Sequence, residues 1–290
     1  MSDPRQTLRA ALDPRSVAIV GASENSNKIG GRPLLYLARH GYGGVVYPIN
    51  PNRSEVQGRK AFPDLLSLPD TPEVAIIALA GDAAVDAVEI CAGMGVKVAV
   101  VMTSGFGEVD PVGGKQKEAR MRAVAREAGM RVVGPNSQGL ANFGTGAILS
   151  FSTMYIEMPP EDGPVAVVSQ SGAMSVVPYA LLRERGIGVR HTHATGNDCE
   201  VTVGEFASVV AEDPGVKLLL LNVESISEAM SLTNLAAIAR ERELPVIALK
   251  SGRTAAGQEA ARSHTGALAN EDRVVDAFLE QHGIWRARTM

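Results

Sequence analysis

Five short runs in the first half of the chain, SVAIVGAS, GVVYPINP, EVAIIALA, VKVAVVMTSG and MRVVGPN, are continuous in apolar, Val- and Ile-rich sequence rather than alternating with polar residues. A strand that is apolar on both faces has to be covered on both faces. That requirement points to a parallel sheet wound between helices. Between the runs lie helical segments such as DAAVDAVEICAGMG and GGKQKEARMRAVAREAGM. The repeated strand–helix–strand order predicts a doubly wound α/β domain over the first half.

The pattern then breaks and restarts. YIEMPPEDGP carries three prolines, adjacent acids and a glycine, which is linker chemistry. The boundary is expected within residues 142–163, giving domains 1–150 and 151–290. The second half reads PVAVVSQSG, GVRHTHATG, VKLLLLNVES, LPVIALKSG and GIWRART as strands, with a helix near residues 271–282. The fold class is therefore α/β, two consecutive parallel-sheet domains. GIWRART has nothing after it to cover it, as expected for a sheet edge or for a piece of a longer protein.

Bulk properties narrow the function classes. The chain has 290 residues, 45% of them apolar and 21% charged, enough to bury a core for two domains of ordinary size. A net charge of -4, no basic run and only 4% aromatics argue against nucleic acid as the main partner. Cys91 and Cys199 stand alone without CxxC spacing, which fits a reducing cytoplasm rather than a disulfide framework or zinc site. The polar N-terminus is no signal peptide, and no apolar run approaches the roughly 20 residues that span a bilayer.

Each half carries one conspicuous strand-end loop. In the first, SVAIVGASENSNKIGG enters a helix, so that Gly21 supplies a sharp turn and Ser23 with the following amides faces an anion at the helix N-terminus. The dinucleotide fingerprint GxGxxG is broken by Ser23 and Ser26, and YPINPNRSEVQG ends the second strand with Asn50 and no ribose-binding acid. Both departures weigh against an NAD-dependent dehydrogenase. Lys28, Arg53 and the TSGFGE loop sit at the same strand ends and favour a phosphate-rich ligand over a plain tight turn.

In the second half, LPVIALK runs into a small-residue loop carrying His264. A local loop histidine is the ordinary reading of such a residue. A serine-hydrolase base is disfavoured because Ser169 stands where a nucleophile elbow around Ser171 needs Gly. A metal ligand is disfavoured because no ligand spacing accompanies it. Three features support a nucleophilic imidazole instead. The loop follows a parallel strand at its C-terminal end, where open α/β sheets bind ligands. Ser171, Gly172 and Ala173 open a helix whose free amides form an anion site. Glu224 ends an apolar strand at the same edge, where it can hold one ring N–H or simply cap a helix. Gly196 and Asn197 of ATGNDCEV are either part of that phosphate pocket or a plain turn. His191 and His193 are expected in local contacts on a strand, and His40 and His282 at helix C-termini.

DPRSVAIVGAS, YPINPN, GPNSQGLANF, VVSQSGA, ATGND and SGRTAAGQEAARSHTGALA occur in this order. Together they resemble the NDP-forming acyl-CoA synthetases, the group that includes ADP-forming acetyl-CoA synthetase, and more distantly the succinyl-CoA synthetase α subunit. The resemblance covers about residues 12–288. It implies a Rossmann-like CoA-binding domain followed by a flavodoxin-like ligase domain. By position it places Gly21, Ser23, Lys28, Pro51, Asn52, Arg53, Thr103, Gly105, Phe106 and Asn136 at CoA. It matches His264 to the phosphorylated histidine and Glu224 to the glutamate that supports it. It further implies a carboxylic acid substrate, an acyl-CoA product, ATP/ADP with Mg²⁺ at a site outside these residues, an ATP-grasp β subunit or further segment as partner, and an oligomer. A non-catalytic CoA-binding regulatory module of an acyltransferase is the alternative, weakened by the retained SHTGAL loop.

Overall fold

A computed structural model describes residues 3–226, 228–252 and 272–289. The continuous apolar runs become the inner strands of two sheets. The first sheet is built from β1 (Ser16–Val20), β2 (Val45–Ile49), β5 (Val74–Ile77), β6 (Val98–Val101) and β7 (Arg131–Val133). All five are parallel, in the order β2–β1–β5–β6–β7, and a two-stranded hairpin of β3 (Glu55–Val56) and β4 (Arg59–Lys60) lies beside them. Alternate residues of the central strands face opposite cores. Val17, Ile19, Val74, Ile76 and Val98 point to one, and Ala18, Ala75, Ile77, Ala99 and Val101 to the other.

Helices α3 (Gly81–Met94) and α4 (Gly113–Ala128) supply Val85, Val88, Met121 and Ala125 to the second of these cores. Both stop at a left-handed glycine, Gly95 (φ 81°) and Gly129 (φ 68°), where a side chain would be strained. The opposite face is covered by α1 (Pro4–Arg9) and α2 (Arg32–Arg39).

The second sheet has seven strands in the order β14–β13–β12–β10–β11–β8–β9. Five are parallel: β10 (Val165–Ser169), β11 (Val189–Ala194), β12 (Leu218–Val223), β13 (Val246–Lys250) and β14 (Trp285–Ala287). The remaining two, β8 (Gly139–Asn142) and β9 (Ala147–Ser150), form an antiparallel hairpin on β11. The connecting helices are α6 (Gly172–Glu184), α7 (Val203–Ala211), α8 (Ala229–Glu241) and α9 (Asp272–Gln281), with the short α5 (Met154–Glu157) ahead of them. β14 is a sheet edge, in agreement with the reading of GIWRART.

The chain passes from one sheet to the other ahead of the expected 150/151 boundary. The chain leaves the first sheet after Val133 and has joined the second by Gly139, well before the proline-rich stretch. GLAN and AILS are buried at every position and take their hydrogen bonds from β11 and from each other. The prolines of 159–164 thus connect two strands of one sheet.

The two domains share one apolar core. It runs from Leu8, Val17 and Leu34 through Val201, Phe206 and Val210 to Leu219, Leu235 and Leu279. At the seam, residues 132–136 lie along 197–201: Val201 N–H donates to Val132 C=O (3.1 Å), Cys199 N–H to Gly134 C=O (3.0 Å) and Asn197 N–H to Pro135 C=O (2.9 Å). The Glu200 carboxylate accepts from Arg131 Nε and from Val132 N–H, both at 3.0 Å, and each of the two side chains is only 6% exposed. Arg131 also reaches Glu205 (2.9 Å), the acid of the Thr202–Glu205 capping box that opens α7.

Arg131→Met should cost about 3–5 kcal/mol, because it leaves the Glu200 carboxylate buried without its cation. Arg131→Met with Glu200→Met should recover most of that loss. Urea unfolding of the two variants checks both expectations.

Candidate active site

In an open α/β sheet, ligands bind at the carboxyl ends of strands where the order of connection reverses. Each sheet here has one such point, between β1 and β5 in the first and between β10 and β12 in the second.

At the first, Gly21 has φ 85°, and a Cβ there would stand 3.1 Å from Ala78 C=O. The helix begins later than expected. Residues 21–31 form a closed loop, and α2 starts only at Arg32. Gly30 packs directly on Gly21, since a Cβ at Gly30 would lie 2.0 Å from Gly21 C=O. Asn50 Nδ2 donates to Ala22 C=O (2.8 Å), and Gln57 Nε2 donates to Ser23 C=O (2.8 Å) and Gly31 C=O (2.9 Å). Ser23 therefore sits within the loop, its Oγ accepting from Asn25 N–H (3.2 Å), and not at a helix N-terminus. Lys28, Pro51, Asn52 and Arg53 are exposed on the same rim.

The neighbouring TSGFGE loop is tied back by Thr103 Oγ1 donating to Leu79 C=O (2.5 Å). Gly105 has φ 100°, and nothing lies within 4 Å of the place a Cβ would occupy. The Phe106 ring is fully buried within the core that also holds Met121 and Ala125, so the side chain anchors the loop.

At the second reversal lies a cleft of about 400 Å³ between the domains. Ser171 caps α6, its Oγ accepting from Met174 N–H (3.5 Å), so the first turn of the helix, Gly172 and Ala173, borders the cleft. Glu224 faces it from the end of β12, and Gly196 and Asn197 from the loop after β11. Asn136, expected with the CoA group, borders this cleft, where its amide donates to Asn197 Oδ1 (3.3 Å). The reason is the seam: Gly196 packs so tightly that a Cβ would stand 2.2 Å from Pro135 C=O. His264 and the rest of the SHTGAL loop lie outside the described residues.

Three further residues border the cleft, none of them singled out in the sequence. Gln170 is buried and uses both ends of its amide: Oε1 accepts from Glu224 N–H (2.6 Å) and Ser225 N–H (3.0 Å), while Nε2 donates to Asp198 Oδ2 (2.8 Å) and Ser225 C=O (3.0 Å). Asp198 also accepts from Val203 N–H (3.0 Å), but its Oδ1 is buried with no hydrogen-bond partner among the described residues. Burial pushes the Asp198 carboxyl up to about 6, against the hydrogen bonds that favour its ionised form. Glu118, from α4, joins the rim: its Oε1 and Glu108 Oε2 accept from the one Asn197 amide, at 2.8 and 2.5 Å. Hydrogen bonds from Asn197 and from Gly105 and Phe106 N–H hold the Glu108 carboxyl below its ordinary range in spite of burial.

The other histidines stand in local contacts, as expected. His191 Nε2 meets Asp213 Oδ2 at 2.8 Å and His193 Nε2 meets His191 Nδ1 at 3.2 Å, all within the interior, where burial lowers both imidazoles. His40 ends α2 and His282 follows α9. Among the described residues no helix is long and apolar enough to cross a membrane.

Residues 15–142 match a CoA binding domain, and residues 162–290 match a succinyl-CoA ligase like flavodoxin domain. The α subunit of ADP-forming acetate–CoA ligase I of Pyrococcus furiosus is 32% identical over 98% of this chain and 61% of its own length. The ADP-forming 4-hydroxybutyrate–CoA ligase of Nitrosopumilus maritimus is 31% identical over 96% of this chain and 40% of its own. A dinucleotide-forming acetyl-coenzyme A synthetase of Ca. Korarchaeum cryptofilum, solved with phosphate and ADP, superposes with a TM-score of 0.89 at 32% identity. That match covers 98% of this chain and 60% of the other. The chain thus spans about 40 to 61% of the length of these relatives.

Asp198→Asn should raise thermal stability at pH 7.5 and change it little near pH 4. A carboxyl whose folded pKa of about 6 lies above its unfolded value of roughly 3.9 is penalised where it must ionise, and the penalty fades as pH falls from 6 toward 4. Melting curves of both proteins across that range check the sign.

Proposed function

We propose that this chain, a member of the NDP-forming acyl-CoA synthetases by its two matched domains and its ADP-forming relatives, is the CoA-binding and ligase part of an acid–CoA ligase. The observation that carries the reading is the pairing of a free helix N-terminus, Ser171–Ala173, with the Glu224 carboxylate in one cleft at the switch point of the second sheet. The first supplies amides and a partial positive charge for a phosphoryl group. The second holds an imidazole N–H and offsets positive charge on the ring.

In the thioester-forming direction, a ring nitrogen of His264 attacks the terminal phosphorus of ATP and ADP leaves. An oxygen of the carboxylic acid then attacks the phosphohistidine, the N–P bond breaks, and an acyl phosphate forms. The thiolate of CoA attacks the acyl carbon and inorganic phosphate departs, giving acyl-CoA. Phosphoryl transfer of this kind requires positioning and neutralisation of charge more than covalent help from the protein. Glu224 orients the imidazole and Ser171, Gly172 and Ala173 receive the phosphoryl oxygens. Gly196, Asn197 and Asn136 shape the opposite wall.

CoA is assigned to the first switch point. The Gly21–Gly30 contact leaves room for no side chain there, and the exposed Lys28, Asn52 and Arg53 present donors suited to phosphates. Thr103 and Gly105 border the same edge. ATP and Mg²⁺ belong to an ATP-grasp partner, either a β subunit or a further segment of the same polypeptide, in keeping with the greater length of the relatives.

Incubation of the chain with acyl-CoA and inorganic phosphate should introduce one phosphoryl group that is acid-labile and base-stable, as expected of a phosphoramidate. His264→Ala should abolish the label, and Glu224→Gln should reduce it while leaving the fold intact. An acid-stable label, or one that survives loss of His264, would overturn the mechanism. Calorimetric titration should show CoA binding in preference to NAD, and Arg53→Ala should weaken CoA on the order of tenfold, the effect of losing one charge-assisted phosphate contact.

A further inference from the structure

Gln170 has no place in the mechanism so far, yet it is the most heavily bonded side chain at the cleft. Its amide can be oriented in one way only. Two N–H groups, of Glu224 and Ser225, converge on Oε1, so this atom is the carbonyl oxygen. The Asp198 carboxylate and the Ser225 carbonyl face the other end, which must be the NH₂. The backbone of the same residue adds two contacts, its N–H donating to Asn222 C=O (3.2 Å) and its C=O accepting from Gly196 N–H (3.1 Å). Gln170 thus joins the end of β12, which presents Glu224, to the loop after β11. It does so one residue before the helix cap Ser171.

Asp198 completes the arrangement. It stands in the left-handed region (φ 51°) and spends Oδ2 on Gln170 and on Val203 N–H, the first amide of α7. The direction of the Gln170–Asp198 bond is therefore forced: the amide donates and the carboxylate accepts.

We propose that Gln170, held in register by Asp198, is a positioning residue that fixes the turn carrying Glu224 and so sets the aim of that carboxylate at the phosphoryl-transfer site. This rests on the phosphohistidine reading above. Gln170 touches neither the phosphoryl group nor the imidazole in this scheme; it acts through the Glu224 and Ser225 backbone.

A bond with a forced direction can be broken. Gln170→Glu puts a carboxylate oxygen against the Asp198 carboxylate and the Ser225 carbonyl, and the clamp opens. Asp198→Asn keeps an oxygen that accepts from both Gln170 and Val203 N–H and preserves the clamp.

The test is the rate of phosphohistidine formation in the chain from acetyl-CoA and ³²P-labelled phosphate at pH 7.5, as a function of phosphate concentration. Gln170→Glu should lower the maximal rate at least tenfold and change half-saturation by phosphate less than threefold, since the amides of Ser171–Ala173 remain in place. Asp198→Asn should stay within threefold of the wild type. Full labelling of Gln170→Glu overturns the positioning role. If Gln170→Glu does not fold, Gln170→Met, which removes the same bonds without adding charge, is read in its place, and full labelling by it overturns the role. Absence of any label in the wild-type chain, with a stable fold, would instead count against the phosphohistidine reading; Gln170 would then have no transfer to position, and the proposal falls with it.

Discussion

Glu200 holds the molecule together at the place where its two sheets meet. Its carboxylate is taken out of water between Arg131 and the Val132 N–H, and it lies in the backbone seam that runs 132–136 along 197–201. An ion pair at that depth adds little net stability by itself, because desolvation offsets its attraction. What it contributes is register. A carboxylate that must find both the guanidinium and one particular amide admits a single alignment of the seam. Everything that borders the cleft, from Asn136 on one side to Gly196, Asn197 and Asp198 on the other, inherits that alignment. The shared apolar core on either side of the seam then removes the freedom that two separate domains would have had.

Much of this architecture is legible in the amino-acid sequence. Runs such as SVAIV and VAII have no polar face, so parallel strands inside a helix sandwich are the physical consequence. Once the sheets are parallel, the switch-point rule sends ligands to the carboxyl ends, and Gly21, Ser171 and Glu224 stand there because each directly follows or opens an element. What the pattern does not reveal is where a short segment finds its hydrogen bonds. GLAN and AILS are as apolar as the strands of the first sheet, and sequence proximity assigns them to it. GLAN pairs instead with β11, which begins more than forty residues further on, and AILS pairs with GLAN.

The remaining differences have equally local causes. A glycine after a strand suggests an immediate helix, but Gly30 and Gly31 allow the chain to fold back on Gly21 first, so the helix waits until Arg32. Phe106 is placed at CoA by the resemblance alone, and nothing in the sequence says where its ring goes. Its neighbour Gly105 lets the backbone turn, and the ring drops into the apolar space over Met121 and Ala125. Gln170 and Asp198 lie within VVSQSGA and ATGND, but nothing in either run marks the two as partners. A glutamine between two serines and an aspartate in a turn are ordinary residues until topology brings residues 170, 198 and 224 to one point.

Asn197 shows how the two ligand-binding edges become one site. Its single amide nitrogen lies 2.5 Å from Glu108 and 2.8 Å from Glu118, both contributed by the first domain. Two carboxylates drawn to one NH₂ would repel each other if nothing else neutralised them. Here Glu108 is also bonded to the N–H groups of Gly105 and Phe106, and Glu118 to Gly107 N–H and the Lys115 ammonium (3.0 Å). Each acid is therefore satisfied on its own side before it reaches across. The result ties the TSGFGE loop, at the edge of the first sheet, to the ATGND loop, at the edge of the second, through bonds that keep their geometry only while both loops keep theirs. The edge proposed for CoA and the edge proposed for phosphate thus share one amide, that of Asn197, which also lines the cleft.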